Sequence, residues 1–206
     1  MSEDAFPAAA AAELRLPYAA CEALCEELPR AADLDAAMRI VEGVRRDLLG
    51  DGLLTVNLVL LPDPVLGEER LTLQRAWSSN PHAYPVAGRK LKSMTPWTRQ
   101  LLLQAQVFVG EGDADLAQAF DDHRLIASLG WRAVVNVPVL GAGQRCIATF
   151  NALGPRARWR SGEVLTLRLL AALAGPAIAR AAEVAVPSHL AEGAPALPAC
   201  APFAGR

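Results

Sequence analysis

Residues 129–155, "LGWRAVVNVPVLGAGQRCIATFNALGP", decide the fold. "AVVNVPVL" and "RCIATFNAL" are two β-rich runs, and the "GAGQ" between them is a glycine-containing hairpin loop. Asn136 alternates with Val135 and Val137, and Thr149 and Asn151 alternate with Ala148 and Phe150. If the valines and Phe150 face a core, Asn136 and Thr149 face the other surface, where they could hydrogen-bond a ligand or the backbone of a covering segment. Pro138 has no N–H, so its strand is expected to be partly unpaired or bulged there.

The segment C-terminal to the hairpin is helical. "SGEVLTLRLLAALAGPAIARAAE" reads as a long helix capped by Ser161, small on much of its surface, with an expected kink at Gly175-Pro176. On the N-terminal side the pattern begins with "YAACEALCEEL", a short amphipathic helix with Cys21, Leu24, Cys25 and Leu28 on one face, and continues into "DLDAAMRIVEGVRRDLLG". The second helix carries the stripe Leu34, Ala37, Met38, Val41, Val44 and Leu48, with Asp33 as N-cap and Gly50 as its stop. "LLTVNLVLL", apolar on both faces, is a central strand closed by the turn "PDPVLGEE", and "RLTLQRAWSS" returns beside it with Leu71, Leu73 and Trp77 assigned to one face.

Between residues 80 and 131 prolines and glycines break the pattern, as in irregular segments that carry function. "TPWTRQLLLQAQ" opens a helix with Thr95 as N-cap and Pro96 at its first position. "VFVG" suits a short strand, and "DLAQAFDDHRLIASLG" returns to helix.

The order of helix, hairpin, irregular insert, hairpin and long helix resembles a GAF domain, a small α/β module related to PAS domains. The residues that carry the likeness are those of the quoted stretch, with its "vP" hairpin and its ending, and the polar start of the long apolar helix. The resemblance covers roughly residues 29–183. It implies an α+β fold: an antiparallel sheet with the terminal helices on one face and the insert over the other, any ligand lying between sheet and insert. The expected organisation is an arm at residues 1–28, a GAF-like domain at 29–184 and a flexible tail at 185–206.

Composition narrows the function classes. At 52% hydrophobic and 20% charged the 206-residue chain is too apolar for disorder, and it has no run of about 18 uncharged apolar residues to cross a bilayer. With 20 Lys and Arg scattered against 22 Asp and Glu, no basic patch for nucleic acid is visible. The acidic start is no secretory signal, and four sparse cysteines are no disulfide framework, so a cytoplasmic protein is expected, with neither nucleic acid nor membrane as a partner.

The expected ligand site comprises Trp77, Tyr84, Trp97 and Trp131 as an aromatic ring, Thr95, His123, Asn136 and Thr149. The free N–H groups after Thr95, with Arg89, Lys90, Lys92 and Arg99 around them, would take the ligand's anionic group. The ligand is expected to be small, organic, and anionic or aromatic. On one continuous helix from Asp115, His123 would point inward; Asp121 and Asp122 could instead start a fresh helix and turn the ring away. A core histidine bonded to a backbone carbonyl is its plain alternative.

The resemblance also implies activities that the residues accept or reject. Reduction of free methionine sulfoxide, and covalent bilin attachment, need a thiol at the pocket, and residues 78–131 contain no cysteine. The cyclic-nucleotide phosphodiesterase signature is absent. The cofactor stays unknown, with a noncovalent haem on His123 the one option a side chain offers. The sensing function is implied by the resemblance: a regulatory domain that dimerises through its terminal helices, by way of Leu167, Leu170, Ala171, Ala174 and Ala177. The alternatives are a small enzyme using His123 with Asp121 or Asp122 as acid and base, and a ligand-free structural dimer module. Cys21 and Cys25 read as buried small hydrophobes, and Cys146 as an inert strand thiol.

Overall fold

The computed structural model describes residues 16–60 and 71–185. The expected turn "PDPVLGEE", the segment before residue 16 and the tail after Val186 lie outside the described residues.

Six antiparallel strands form one sheet in the order β3-β2-β1-β6-β5-β4. They are β1 (Leu53–Leu60), β2 (Leu71–Ser78), β3 (Arg89–Lys92), β4 (Phe108–Glu111), β5 (Ala133–Leu140) and β6 (Cys146–Gly154). The α+β architecture expected from sequence is therefore present. Both hairpins form, β1 with β2 and β5 with β6, and β1 pairs with β6 to join them at the centre. Pairing of β5 with β4 ends at Asn136, so Pro138 lies where no partner needs its missing donor on that side, and the register against β6 shifts just beyond, at Val139/Leu140.

One face is covered by helices. Its N-terminal helix, α1 (Tyr18–Glu22), runs on as a π-helical turn and a 3-10 turn to Arg30. The α2 helix (Leu34–Leu49) starts where Asp33 Oδ1 accepts the Ala36 N–H at 2.8 Å and ends at Gly50, whose φ of 78° suits glycine. Ala20, Leu24 and Leu28 of the first segment are buried in the main core with Met38, Val41, Val56, Val135, Val137, Phe150, Leu167 and Leu170. Its cysteines are not: Cys21 is half-buried and Cys25 exposed, against the sequence expectation.

The last helix, α6 (Ser161–Ala185), runs through Pro176 without a break in its helical span. Its cap also differs from expectation. Among the described residues the Ser161 hydroxyl accepts no capping bond; the N-cap is Arg160, whose carbonyl takes the Glu163 and Val164 N–H groups and whose own N–H donates to Glu163 Oε2 at 2.9 Å. By length and composition α6 could cross a membrane, yet Leu167, Leu170, Ala171, Ala174 and Ala177 are buried on the sheet and α2. These five residues, expected to approach both the first helix and a second copy, pack against α2 and the sheet within the chain. The stripe left exposed is Leu165, Leu169 and Leu173.

The other face carries the insert: α3 (Pro96–Thr98) continued by a π-helical turn to Leu103, then β4, α4 (Gly112–Ala119) and α5 (His123–Ser128). Two points of the sequence reading are decided here. The short edge strand β3 has no counterpart in it, and of the two courses it left open at His123, one continuous helix or a fresh one, the chain takes the second, because Phe120 leaves the helical region at φ −133° and ψ 126°.

A β-bulge corrects a third. Val56 pairs with Trp77 but Asn57 pairs with Arg75, leaving Ala76 unmatched. An extra residue reverses the side-chain alternation along the strand. Leu73 therefore packs under the insert with Trp97 and Leu101, while Trp77 packs in the helix-side core.

Candidate functional site

Between the sheet and the insert lies a cavity of about 70 Å³. Its polar lining comes from β1 (Thr55, Asn57), β2 (Arg75), β3 (Lys90, Lys92), the hairpin residue Asn136 and Asn151 of β6. The insert contributes Tyr84, Trp97, Phe120, Asp122 and Ile126, and Leu73, Val134 and Leu153 complete the apolar part. One water needs about 10–15 Å³ of such space, so the partly open cavity has room for a few waters or for a small solute.

One side of the cavity is a hydrogen-bonded chain of buried polar groups. The Trp97 indole donates to Asn136 Oδ1 at 2.9 Å, and Asn136 Nδ2 donates to Asn151 Oδ1 at 2.8 Å. Asn151 Nδ2 reaches the Thr55 carbonyl at 3.3 Å and the Thr149 carbonyl at 3.2 Å. Trp97 also meets Phe120 edge to face at 5.8 Å between ring centres. The chain ties α3 to the middle of the sheet, and each amide oxygen in it is engaged.

The opposite side is cationic. The Arg75 guanidinium lies over the Tyr84 ring at 4.8 Å and Lys92 Nζ lies over the Trp97 ring at the same distance. Lys90 donates to Asp122 Oδ2 at 2.8 Å. Burial pushes the Lys92 ammonium below the usual lysine range, the charge of Lys90 adds to this, and Asp122 and Asp121 oppose it. Burial works against the Asp122 carboxylate, but the hydrogen bond and charge of Lys90 more than offset it and the net shift is downward. Tyr84 is held firmly as the neutral phenol, by burial first and then by the charge of Asp122. Two donors in this corner, Arg75 Nε and the Tyr84 hydroxyl, are buried and have no hydrogen-bond partner among the described residues.

Of the eight residues expected at the site, Tyr84, Trp97 and Asn136 line the cavity. Trp77 does not: the bulge at Ala76 sends it to the helix side, where its indole bonds Asp35. Trp131 is half-buried and packs behind the lining, in the cluster of Leu116, Ile126 and Val134, without itself reaching the cavity. Thr149 is buried beneath the lining, with Asn57 Nδ2 3.5 Å from its hydroxyl. Thr95 caps its helix as expected, but its hydroxyl accepts the Thr98 N–H at 3.2 Å, and Lys90 and Lys92 are turned to Asp122 and Trp97. The anion site expected there is taken up by these internal contacts. The ring of His123 sits on the fresh helix, with Nδ1 3.0 Å from the Phe120 carbonyl and no place in the cavity wall. This is the backbone-bonded alternative, with the imidazole outside the set of side chains that line the cavity. Among the described residues no cluster of three or more His, Cys, Asp or Glu could hold a metal.

Sequence reasoning missed Thr55, Asn57, Arg75 and Asn151 as lining residues and placed Lys90 and Lys92 elsewhere. Period-2 spacing of Lys90 and Lys92 in "RKLK", and of Thr55 and Asn57 in "LTVNL", was the available signal.

The family model of the GAF domain matches residues 18–178, taking in the segment before residue 29. Among solved structures, the GAF domain of a phosphoenolpyruvate-protein phosphotransferase from Coxiella burnetii is similar at 13% identity and TM-score 0.59, over 82% of this chain and 96% of that one. Free methionine-R-sulfoxide reductase from Neisseria meningitidis, solved with its substrate, gives 21% identity and TM-score 0.52, over 84% of this chain and 98% of that one. The chromophore-binding domain of a bacteriophytochrome from R. palustris gives 17% identity and TM-score 0.56, over 82% of this chain, which spans only 61% of that structure. These identities carry the fold alone. A search of the curated proteins finds no match. With a six-stranded sheet, helices on one face, an insert on the other and a family match over most of its length, the chain belongs to the GAF domain family, whose members are sensory and ligand-binding domains.

Proposed function

We propose that this chain is a regulatory domain that holds a small, anionic organic ligand between sheet and insert, and that two copies pair through the exposed side of α6. The observation that supports ligand binding is the cationic corner, where Arg75 Nε and the Tyr84 hydroxyl are buried donors without acceptors. Such groups cost free energy unless something fills them. Pairing rests on Leu165, Leu169 and Leu173, three exposed leucines spaced one helical turn apart.

The test is to purify the protein, record its absorption spectrum, denature it and identify any released small molecule by mass spectrometry. A stoichiometric anionic metabolite supports the reading. An empty protein that also fails to bind anions in solution sinks it, and favours a structural module closed by its own side chains. That second reading has one observation behind it: the Trp97–Asn136–Asn151 chain already satisfies its own polar groups.

A further inference from the structure

We infer that the Arg75–Tyr84 corner is a carboxylate seat and that the ligand is a small monocarboxylate of only a few non-hydrogen atoms, its tail against Trp97 and Phe120. This rests on the ligand-binding reading above and narrows it to one chemical class.

The imbalance between donors and acceptors carries the inference. Three of the cavity's acceptors are occupied, Asn136 Oδ1 by Trp97, Asn151 Oδ1 by Asn136 and Asp122 Oδ2 by Lys90, and the groups left over in the Arg75–Tyr84 corner are donors. Arg75 spends one terminal nitrogen on the Pro85 carbonyl at 3.3 Å, and its Nε is left without an acceptor. Tyr84, 6% exposed, has an unpartnered hydroxyl that stays protonated. Lys92 Nζ has a ring beneath it and no oxygen partner among the described residues. A ligand group that supplies acceptors completes the Arg75–Tyr84 corner, and an N–H donor placed there does not.

Charge and shape narrow it further. Three cations, Arg75, Lys90 and Lys92, face a single carboxylate, Asp122, so the lining has room for negative charge. The Nε edge of a guanidinium presents two parallel N–H bonds, which match the two oxygens of a planar carboxylate. The rest of the lining is apolar, with Leu73, Ile126, Val134 and Leu153 beside the two aromatic rings. An alkyl or acyl tail suits that surface, whereas a phosphate would turn an oxygen toward it. At about 70 Å³ the cavity is far smaller than the roughly 300–1,000 Å³ of pockets for larger ligands, so a nucleotide or a tetrapyrrole enters it only if the insert moves.

The experiment titrates acetate, pyruvate, acetamide and inorganic phosphate into the ¹⁵N-labelled full chain at fixed ionic strength, following amide shifts around Arg75 and Tyr84. Tyr84→Phe and Arg75→Met are titrated in parallel, their folding checked by circular dichroism and thermal melting. The expected result is that acetate or pyruvate binds, acetamide does not, and each substitution weakens binding by about tenfold or more, the range for a lost hydrogen bond to a charged group. Tyr84→Phe removes one oxygen and keeps the ring, so it tests the seat even if Arg75→Met unfolds. Carboxylates that bind both variants as well as the parent overturn the seat. Phosphate or acetamide binding at these amides, with no carboxylate response, overturns the carboxylate class while ligand binding itself stands. No response to any probe, in a protein that releases no small molecule on denaturation, overturns both.

Discussion

The Trp77 indole donates a 2.9 Å hydrogen bond to Asp35 Oδ1, fastening β2 to the first turn of α2. The bond exists because the bulge at Ala76 turns Trp77 toward the helices, so this tryptophan belongs to the scaffold and not to the cavity. Trp77→Phe should lower unfolding free energy by about 1 kcal/mol, the usual net worth of one hydrogen bond, and leave anion titrations unchanged. Chemical denaturation together with an acetate titration checks both halves. Loss of binding with unchanged stability would contradict the assignment.

The same pair gives a pH dependence. The Asp35 carboxyl is held below its ordinary value of 3.8, first by its hydrogen bond to Arg39 and then by that to Trp77. A carboxyl with a depressed folded-state pKa contributes stability that is fully present well above 3.8 and is lost as pH falls through the lower folded value. Asp35 is mostly exposed, so the effect is small. Asp35→Asn should flatten the acid limb of the melting-temperature profile below about pH 4 and leave the neutral range almost unchanged.

How much of this was legible in the sequence depends on what each residue had to reveal. The hairpins and α2 were legible because their apolar spacing is regular and Asp33 and Gly50 mark the helix ends. Trp77 was misplaced because a single unpaired residue reverses the alternation, and nothing in "LQRAWSS" marks the bulge. His123 depended on whether the helix continues through Phe120, which tertiary packing decides: Phe120 leaves the helix to pack against Trp97 and Phe108. Arg75 does not stand out, and Lys90 and Lys92 read as part of an anion site at the start of α3, because β3 and the contacts that turn them to Asp122 and Trp97 have no mark in the sequence. Tyr84, Trp97 and Asn136 were found because an aromatic in an irregular insert, or an amide between valines, is unusual enough to stand out.

Asn136 makes a sharper test of the polar chain. Asn136→Leu leaves the Trp97 indole without its acceptor and Asn151 Oδ1 without its donor, both in buried surroundings. Each orphaned group costs about 1–3 kcal/mol, so a loss of roughly 2–5 kcal/mol is expected, well above that of Trp77→Phe. Equilibrium unfolding in urea compares the two variants directly.

Two glycines should respond in opposite directions to alanine. A Cβ at Gly52 would stand 2.6 Å from the Leu153 carbonyl and 2.7 Å from Arg45, a residue held by Glu42 and only 1% exposed, so neither neighbour can yield cheaply. Gly52→Ala should cost about 1–3 kcal/mol. At Gly175, inside α6, a Cβ meets nothing within 4 Å. Gly175→Ala should stabilise by about 0.5–1 kcal/mol, the helix-interior difference between the two residues. Thermal melts of both variants decide it, and equal shifts would show that the packing around Gly52 relaxes.

The thiols differ in reactivity by position. Cys146 lies in β6 at 9% exposure, its Sγ donates to the Ala148 carbonyl at 3.2 Å, and burial pushes its thiol up to about 12. Only the thiolate reacts, so at about pH 8 this group is almost wholly in the unreactive form. Cys25 is exposed on the turn after α1. Iodoacetamide applied to the native protein should therefore label Cys25 well before Cys146, and Cys146 should become reactive only in denaturant. Peptide mass spectrometry over a time course reads both sites. Early labelling of Cys146 would mean that the insert over the start of β6, at Leu101 and Leu102, opens readily, and with it the route into the cavity, because Cys146 packs in the same cluster as Trp97.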